Sequence, residues 1–324
     1  MLRIIFMGTP DFALPALEAV KNSGQELLAV VTQPDKPRGR GKRLTPSPVK
    51  VWAAEKRIPI FQPQKIRGNL EFLNQIKEMN PDLIVTAAYG QILPGNILAI
   101  PPLGCINVHA SLLPEYRGAS PIQQALIDGR KKTGISIIYM DEGMDTGDII
   151  LQRELDICPD ENAGQLHDRL STLGGTMLSE VLRMFEQGKP AGTPQDSDKA
   201  TYCGKIDKSM GEIRWEQSAR SICNLIRGLT PWPGAFTFFN NGKRLKILRA
   251  LIADHPNQKN HIPGIVLKAD QTSGLLVACG QGIIRIAELQ EQGGRHMTDI
   301  DYLRGNPIEI GMQLGRQGRG NGIS

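Results

Sequence analysis

Leu2-Arg3-Ile4-Ile5-Phe6-Met7-Gly8-Thr9-Pro10-Asp11 is the segment whose reading decides the fold. An apolar run without polar alternation, as over 2–7, describes a strand buried on both faces. The next four residues turn the chain into a helix. Thr9 is suited to cap it and Pro10 to begin it, because the first helical turn has no use for the N–H that proline lacks. Phe12, Leu14, Leu17 and Val20 supply an apolar face, and Gly24 closes the helix. Further apolar runs at 27–32, 83–88, 105–109, 135–140 and 149–157 read as strands. Helical stretches near 48–57 and 69–79 lie between them, and a helix over about 163–187 ends the domain. The alternation predicts an α/β fold, a Rossmann-like parallel sheet covered on both faces. Gly8-Thr9-Pro10 lacks the G-x-G-x-x-G spacing, so no dinucleotide fingerprint is present.

The pattern changes near residue 190. Gly188-Lys189-Pro190-Ala191-Gly192-Thr193-Pro194 has linker composition. Beyond it come one helix (218–229) and five short strand candidates at 235–239, 245–251, 264–269, 275–279 and 283–289. Five short strands separated by turn residues suggest a small OB-like β-barrel. The expected organisation is therefore a catalytic domain over 1–189, a linker over 190–206, a barrel over 207–314 and a disordered tail over 315–324.

With 324 residues, each domain can bury its own core. The 40% hydrophobic and 22% charged composition is that of a soluble globular chain. No apolar run approaches the roughly 20 residues that span a bilayer, and the strand at residue 2 leaves no room for a signal or transit segment. Cys105, Cys158, Cys203, Cys223 and Cys279 form no C-x-x-C pair and have no His at ligand spacing. The expectation is unpaired thiols in a reducing cytosol, with neither metal nor disulfide.

The net charge is +5, and residues 1–189 balance at 21 basic and 21 acidic side chains. Within them, 34–50 carries Lys36, Arg38, Arg40, Lys42, Arg43 and Lys50 against Asp35 alone. Its Gly and Pro content excludes a helix or central strand and predicts an exposed, mobile basic loop. Such a density of charge suits a large anionic partner, whereas an ordinary charge run is only a solvated face.

The chemistry gathers at Cys105-Ile106-Asn107-Val108-His109-Ala110-Ser111-Leu112-Leu113-Pro114 and Met140-Asp141-Glu142-Gly143-Met144-Asp145-Thr146-Gly147-Asp148. The i, i+2 spacing puts Asn107 and His109 on one face of a strand. Asn107 is a non-titrating donor suited to an oxyanion, His109 can donate or shuttle a proton, and Asp145 can accept one or orient the imidazole. None is a strong nucleophile, and Ser111 lacks a G-x-S-x-G elbow. The attacking group would then belong to a substrate, as in transfer of an acyl group to an amine. Each residue alone has a structural reading as a capping Asn, a packed His or a turn-forming Asp. Their convergence at strand ends of an α/β sheet favours a site.

These residues also carry a resemblance. N-x-H-x-S-L-L-P, R-G-A-x-P-I-Q and M-D-x-G-x-D-T-G-D resemble the 10-formyltetrahydrofolate-dependent formyltransferase family. The opening F-M-G-T-P-D-F-A, the basic Q-P-D-K-P-R-G-R-G-K-R-L-x-P-S-P-V-K, A-Y-G-Q-I-L-P and P-W-P at 231–233 narrow it to the tRNA-directed branch, over nearly the whole chain. The resemblance implies that Asn107, His109 and Asp145 are catalytic and that Ser111, Leu112, Leu113 and Pro114 bind the folate co-substrate. It implies that Arg40, Lys42 and Arg43 enter the acceptor end of tRNA while the barrel grips its inside. The acceptor would be the α-amine of methionyl initiator tRNA, which attacks the formyl carbon while Asn107 and His109 hold the oxyanion and Asp145 takes a proton. The implied enzyme is cytoplasmic and monomeric. Relatives that formylate a small amine, or hydrolyse formyltetrahydrofolate, share the trio but need neither basic loop nor barrel. A non-catalytic RNA-binding protein would have no need of the intact trio.

Overall fold

A computed structural model describes residues 1–38, 43–253 and 261–315. In chain order the first half contains β1 (Arg3–Gly8), α1 (Leu14–Asn22), β2 (Glu26–Val31), β3 (Lys36–Arg38), β4 (Arg43–Thr45), α2 (Pro48–Glu55), β5 (Ile60–Phe61), α3 (Leu70–Met79), β6 (Leu83–Ala87) and α4 (Gly95–Leu98). It continues with β7 (Cys105–His109), β8 (Arg117–Gly118), α5 (Pro121–Ile127), β9 (Lys132–Tyr139), β10 (Ile149–Asp156), α6 (Ala163–Glu186) and β11 (Tyr202–Cys203).

One seven-stranded sheet has the order β10-β9-β7-β6-β1-β2-β5. β1 lies centrally and is buried along Ile4–Gly8, as an uninterrupted apolar strand requires. Ile5 and Met7 pack with Phe72, Leu73 and Ile76 of α3. β7, β6, β1, β2 and β5 run parallel, but β9 and β10 run antiparallel to their neighbours. The sheet is therefore mixed at one edge, because β9 follows β7 without a crossover returning it to the same direction. The β1–α1 turn also differs from expectation. Thr9 does not cap a helix, since its hydroxyl donates to the Tyr89 carbonyl (2.9 Å) and accepts from the Gln33 N–H. A short 3-10 turn, Asp11–Ala13, precedes α1 instead. α2 and α3 begin conventionally, with the Ser47 and Asn69 side chains accepting from the third residue beyond each.

The basic segment is partly ordered. β3 and β4 pair antiparallel, with Arg38 opposite Arg43. Lys50 Nζ lies 2.7 Å from Asp35 Oδ2, and Gln62 donates to the other oxygen of Asp35. The ammonium hydrogen bond from Lys50 and the amide of Gln62 hold the Asp35 carboxyl below its ordinary range. Arg40 and Lys42 lie outside the described residues, as does the tail beyond Gly315.

The second half contains α7 (Ala219–Leu229), β12 (Ala235–Phe238), β13 (Arg244–Ala253), β14 (Val266–Asp270), β15 (Gly274–Ala278), β16 (Ile283–Glu291), β17 (Met297–Thr298) and α8 (Asp299–Gly305). The five expected strands form an antiparallel sheet in the order β12-β13-β16-β15-β14, with β17 added beside β16. Register shifts in β13 at Ile247–Arg249 and Arg249–Ala250 mark bulges, which coil a sheet. Ile222 and Ile226 of α7 close a core with Leu245, Ile247, Leu275, Val277, Ile284 and Ile286. This is the expected α/β domain followed by a β domain.

The boundary between the two units departs from the linker expected over 190–206. The first unit comprises Met1–Pro121, Lys132–Ile157 and Leu166–Gly204, and the second takes Ile122–Lys131, Cys158–Gln165 and the chain from Lys205. The 190–204 stretch is bonded into the first unit, because Thr193 bridges Ile149 and β11 pairs with β8. Residues 158–165 join the second, where Arg227 donates to the Cys158 and Pro159 carbonyls and Gly164 N–H to the Thr230 carbonyl.

Asp299 anchors the second unit. Its side chain is 1% exposed, accepts from Arg285 Nε (2.8 Å) and Nη2 (3.0 Å), and also takes the Leu275 N–H. Asp299→Ala strips both partners at once and should cost about 2–3 kcal/mol, the half-exposed guanidinium keeping it below the range for fully buried pairs. Thermal unfolding followed by limited proteolysis should show the loss as cleavage within 205–315 before cleavage of the first unit.

Candidate active site

β7 ends among the parallel strands where an α/β sheet gathers its ligand-binding loops. Its alternation places the Asn107 and His109 side chains together, half-buried and 6% exposed respectively. Upstream on the same strand, burial pushes the Cys105 thiol up to about 12, which makes it a packing group and not a reactive one.

Asn107 is oriented from both ends. The Thr86 hydroxyl on β6 donates to Asn107 Oδ1 at 2.7 Å, and Asn107 Nδ2 points to Asp145 Oδ1 at 3.4 Å. One of its two amide N–H groups thus faces the carboxylate, and the other is bonded to nothing among the described residues. His109 Nε2 lies 3.0 Å from the Tyr116 carbonyl. A carbonyl only accepts, so Nε2 carries the proton, and Nδ1 is the nitrogen facing Asp145 Oδ2 at 3.6 Å. The imidazole is therefore held between two protein groups, where the sequence predicted one nitrogen open to an oxyanion.

Asp145 sits in the loop between β9 and β10 with φ of 55°, a left-handed conformation that Asp tolerates better than most residues. Its Oδ2 accepts from the Gly118 N–H at 2.9 Å. Gly147 permits the loop, since a Cβ there would fall on the Tyr139 carbonyl oxygen. The carboxylate consequently meets an amide, an imidazole and a backbone N–H at one point. The three residues singled out as catalytic do converge.

The 111–114 segment is fixed more by its buried members than by contacts offered outward. Ser111 is fully buried, and its hydroxyl donates to the Glu115 carbonyl at 2.6 Å. Ser136 donates to the Ser111 carbonyl and accepts from Leu113 N–H, and Gln152 Nε2 donates to both Ser136 Oγ and the Leu113 carbonyl. Leu112 and Pro114 are half-buried and present surface, while Leu113 is buried. Of the basic trio, Arg43 opens β4, and Arg40 and Lys42 lie outside the described residues.

Several contributors carried little sequence signal. Tyr116 and Gly118 act through backbone atoms, and Thr86 is one threonine in an apolar strand. Gln195 donates to the Asp145 and Gly147 carbonyls from within a segment whose composition reads as linker. Among the described residues, no group of three or more His, Cys, Asp or Glu could hold a metal ion. No described helix is long and apolar enough to cross a membrane.

The family model described as formyl transferase matches residues 2–182, and the model for the formyl transferase C-terminal domain matches 205–307. The fold is that of this enzyme class. The methionyl-tRNA formyltransferase of Caldanaerobacter subterraneus is 50% identical over 313 residues, covering 97% of this chain and all of the relative. That of Ruminiclostridium cellulolyticum is 48% identical over 315 residues, with coverage of 97% and 100%. The chain belongs to the methionyl-tRNA formyltransferase family. Among solved structures, the N-formyltransferase of Helicobacter canadensis, in complex with folinic acid and dTDP-3-aminofucose, superposes with a TM-score of 0.63 at 17% identity, covering 90% of this chain and all of that one. HypX of Aquifex aeolicus in complex with tetrahydrofolic acid gives 0.59 at 16% identity over 98% of this chain and 51% of that one.

Gly118 has φ of 113°, and a Cβ added there would strike the Cys203 carbonyl oxygen. Gly118→Ala should therefore displace the N–H that holds Asp145, cost on the order of 2 kcal/mol in stability and lower turnover. Differential scanning calorimetry and steady-state assay of the same preparation check both effects.

Proposed function

We propose that this enzyme transfers the formyl group of 10-formyltetrahydrofolate to the α-amine of methionyl initiator tRNA, working as a monomer in the bacterial cytosol. The observation that carries the reading is the convergence of Asn107, His109 and Asp145 at one strand end, on a chain related over its whole length to methionyl-tRNA formyltransferases. The donor set fits a formyl donor, since an unspent amide N–H and a carboxylate lie side by side where a carbonyl and an attacking amine must meet. When bound, the folate supplies the formyl carbon, its carbon–nitrogen bond breaking as the new amide forms.

The chain's own part is positional and electrostatic. The unspent N–H of Asn107 Nδ2 stabilises charge that develops on the formyl oxygen, and Thr86 keeps that amide turned the right way. Asp145 receives the proton the amine must lose, directly or through water, and holds His109 Nδ1 as its second acceptor or donor. The Tyr116 carbonyl fixes the ring, and the proton taken from the amine passes to the folate nitrogen as its bond to the formyl carbon breaks. Leu112 and Pro114 supply apolar surface for the folate, while Ser111 and Leu113 hold the backbone that presents them. Arg40, Lys42 and Arg43 contact phosphates at the acceptor end of the tRNA, and the second unit binds the remainder of the RNA. The first unit accordingly carries the catalytic residues together with the basic contacts to the acceptor end, and the second carries the rest of the RNA-binding role.

The direct test incubates the protein with 10-formyltetrahydrofolate and charged initiator tRNA and looks for N-formylmethionyl product; free formate alone, or no dependence on tRNA, would overturn the assignment. Asn107→Ala should lower kcat on the order of 10²–10³-fold, with a smaller change in folate affinity. Replacing Arg40, Lys42 and Arg43 together by Ala should weaken tRNA binding and flatten the log–log salt dependence by up to about two units. Titrations between low and moderate salt, with folate binding measured in parallel, separate this from a general loss of fold.

A further inference from the structure

Two residues of the site other than glycine occupy left-handed backbone: Tyr116 at φ 58° and Asp145 at φ 55°. Such positions persist only where the surroundings over-determine them. Both are bonded to the same stretch of chain, 193–203, which composition marks as linker and which belongs to the first unit. The Tyr116 N–H donates to Thr201 Oγ1 at 2.8 Å. Gln195 Nε2 donates to the Asp145 carbonyl at 2.8 Å and to the Gly147 carbonyl at 2.7 Å, bridging the turn that carries the carboxylate.

The other end of Gln195 is equally committed. Its Oε1 accepts from Arg117 Nε at 3.1 Å and Nη2 at 2.8 Å. Arg117 is only 3% exposed, and its remaining contacts are with Tyr202, through the hydroxyl at 3.3 Å and the ring at 6.0 Å. Among the described residues it has no carboxylate partner. A buried guanidinium satisfied by one amide oxygen fixes that amide's orientation, because the oxygen must face the cation. The two N–H bonds are then forced onto the loop. Buried positive charge thus determines which way the clamp points.

We infer that Gln195 is a positioning residue for formyl transfer: oriented by Arg117, it holds the Asp145 turn so that the carboxylate reaches Gly118, His109 and Asn107 together. The inference rests on the reading of Asp145 given above. It makes 193–203 a strap across the catalytic loop, with β11 and Thr201 holding its far end.

Gln195→Glu is the discriminating variant. A carboxylate keeps, and strengthens, the contact with Arg117, so the strap stays docked. Its other oxygen cannot donate and would face two carbonyl oxygens, so the clamp on the loop is lost. Gln195→Met, similar in length and neutral, removes the clamp without that repulsion and serves if the Glu variant proves unstable. Both should lower kcat about tenfold or more, leave KM for tRNA and folate within about threefold, and retain the wild-type melting transition within a few degrees. Because the effect passes through Asp145, either substitution placed in an Asp145→Asn background should slow it no further. A kcat within threefold of wild type in both single variants, or a full additional loss in the double variants, would overturn the clamp. Asp145→Asn at the wild-type rate would instead overturn the reading of the site on which the clamp rests.

Discussion

The carboxylate of Asp145 is the group on which the site's geometry depends. It accepts from the backbone N–H of Gly118, faces the imidazole of His109 and meets the amide of Asn107, the last two carried by one strand. No helix or strand could place it there, because the approach requires a left-handed residue in a loop flanked by glycines. The sheet supplies Asn107 and His109 on a rigid strand, and the loop brings the charge to them. In the proposed reaction, rigid donors and a loop-borne acid divide the work: the strand would set where the formyl group lies, and the loop where the proton goes.

Much of this was legible from residue order. The strand at 2–7, the i, i+2 pair on β7 and the Gly-bounded carboxylate follow from periodicity and backbone tolerance, and all stand where those rules put them. The five C-terminal strands were readable for the same reason, since turn residues punctuate them. What escaped was direction and pairing. A buried apolar strand looks alike whether parallel or antiparallel, so β9 gave no warning of its reversal. Thr9 looked like a cap, but the choice between a local N–H and the Tyr89 carbonyl is made by tertiary structure. The restraint on His109 was invisible because its partner is a carbonyl at Tyr116, and any residue type supplies one. Gln195 hid within a Pro- and Gly-rich stretch whose composition says connection and whose hydrogen bonds say otherwise.

The basic ribbon illustrates a related point about charge. Of the six cations counted between residues 34 and 50, Lys50 is spent at the foot of the ribbon on Asp35, the one acid in the segment. Neutralisation thus occurs at the base of the ribbon.

The two margins of the large sheet have a consequence for how the protein behaves when crowded. A free strand edge is a template for pairing with another chain. β5 offers only two residues. At the opposite margin, the exposure along β10 alternates, with Gln152, Glu154 and Asp156 at the exposed positions; Glu154 is bonded to Lys132, and the half-buried Arg153 to Glu180. Thr193 already occupies the start of that margin by bridging Ile149. One border is too short to recruit a neighbour, and the other is charged and partly capped by the protein's own backbone. Edge-to-edge polymerisation through this sheet is thereby opposed at both borders, one of them through the first residue of the proposed strap.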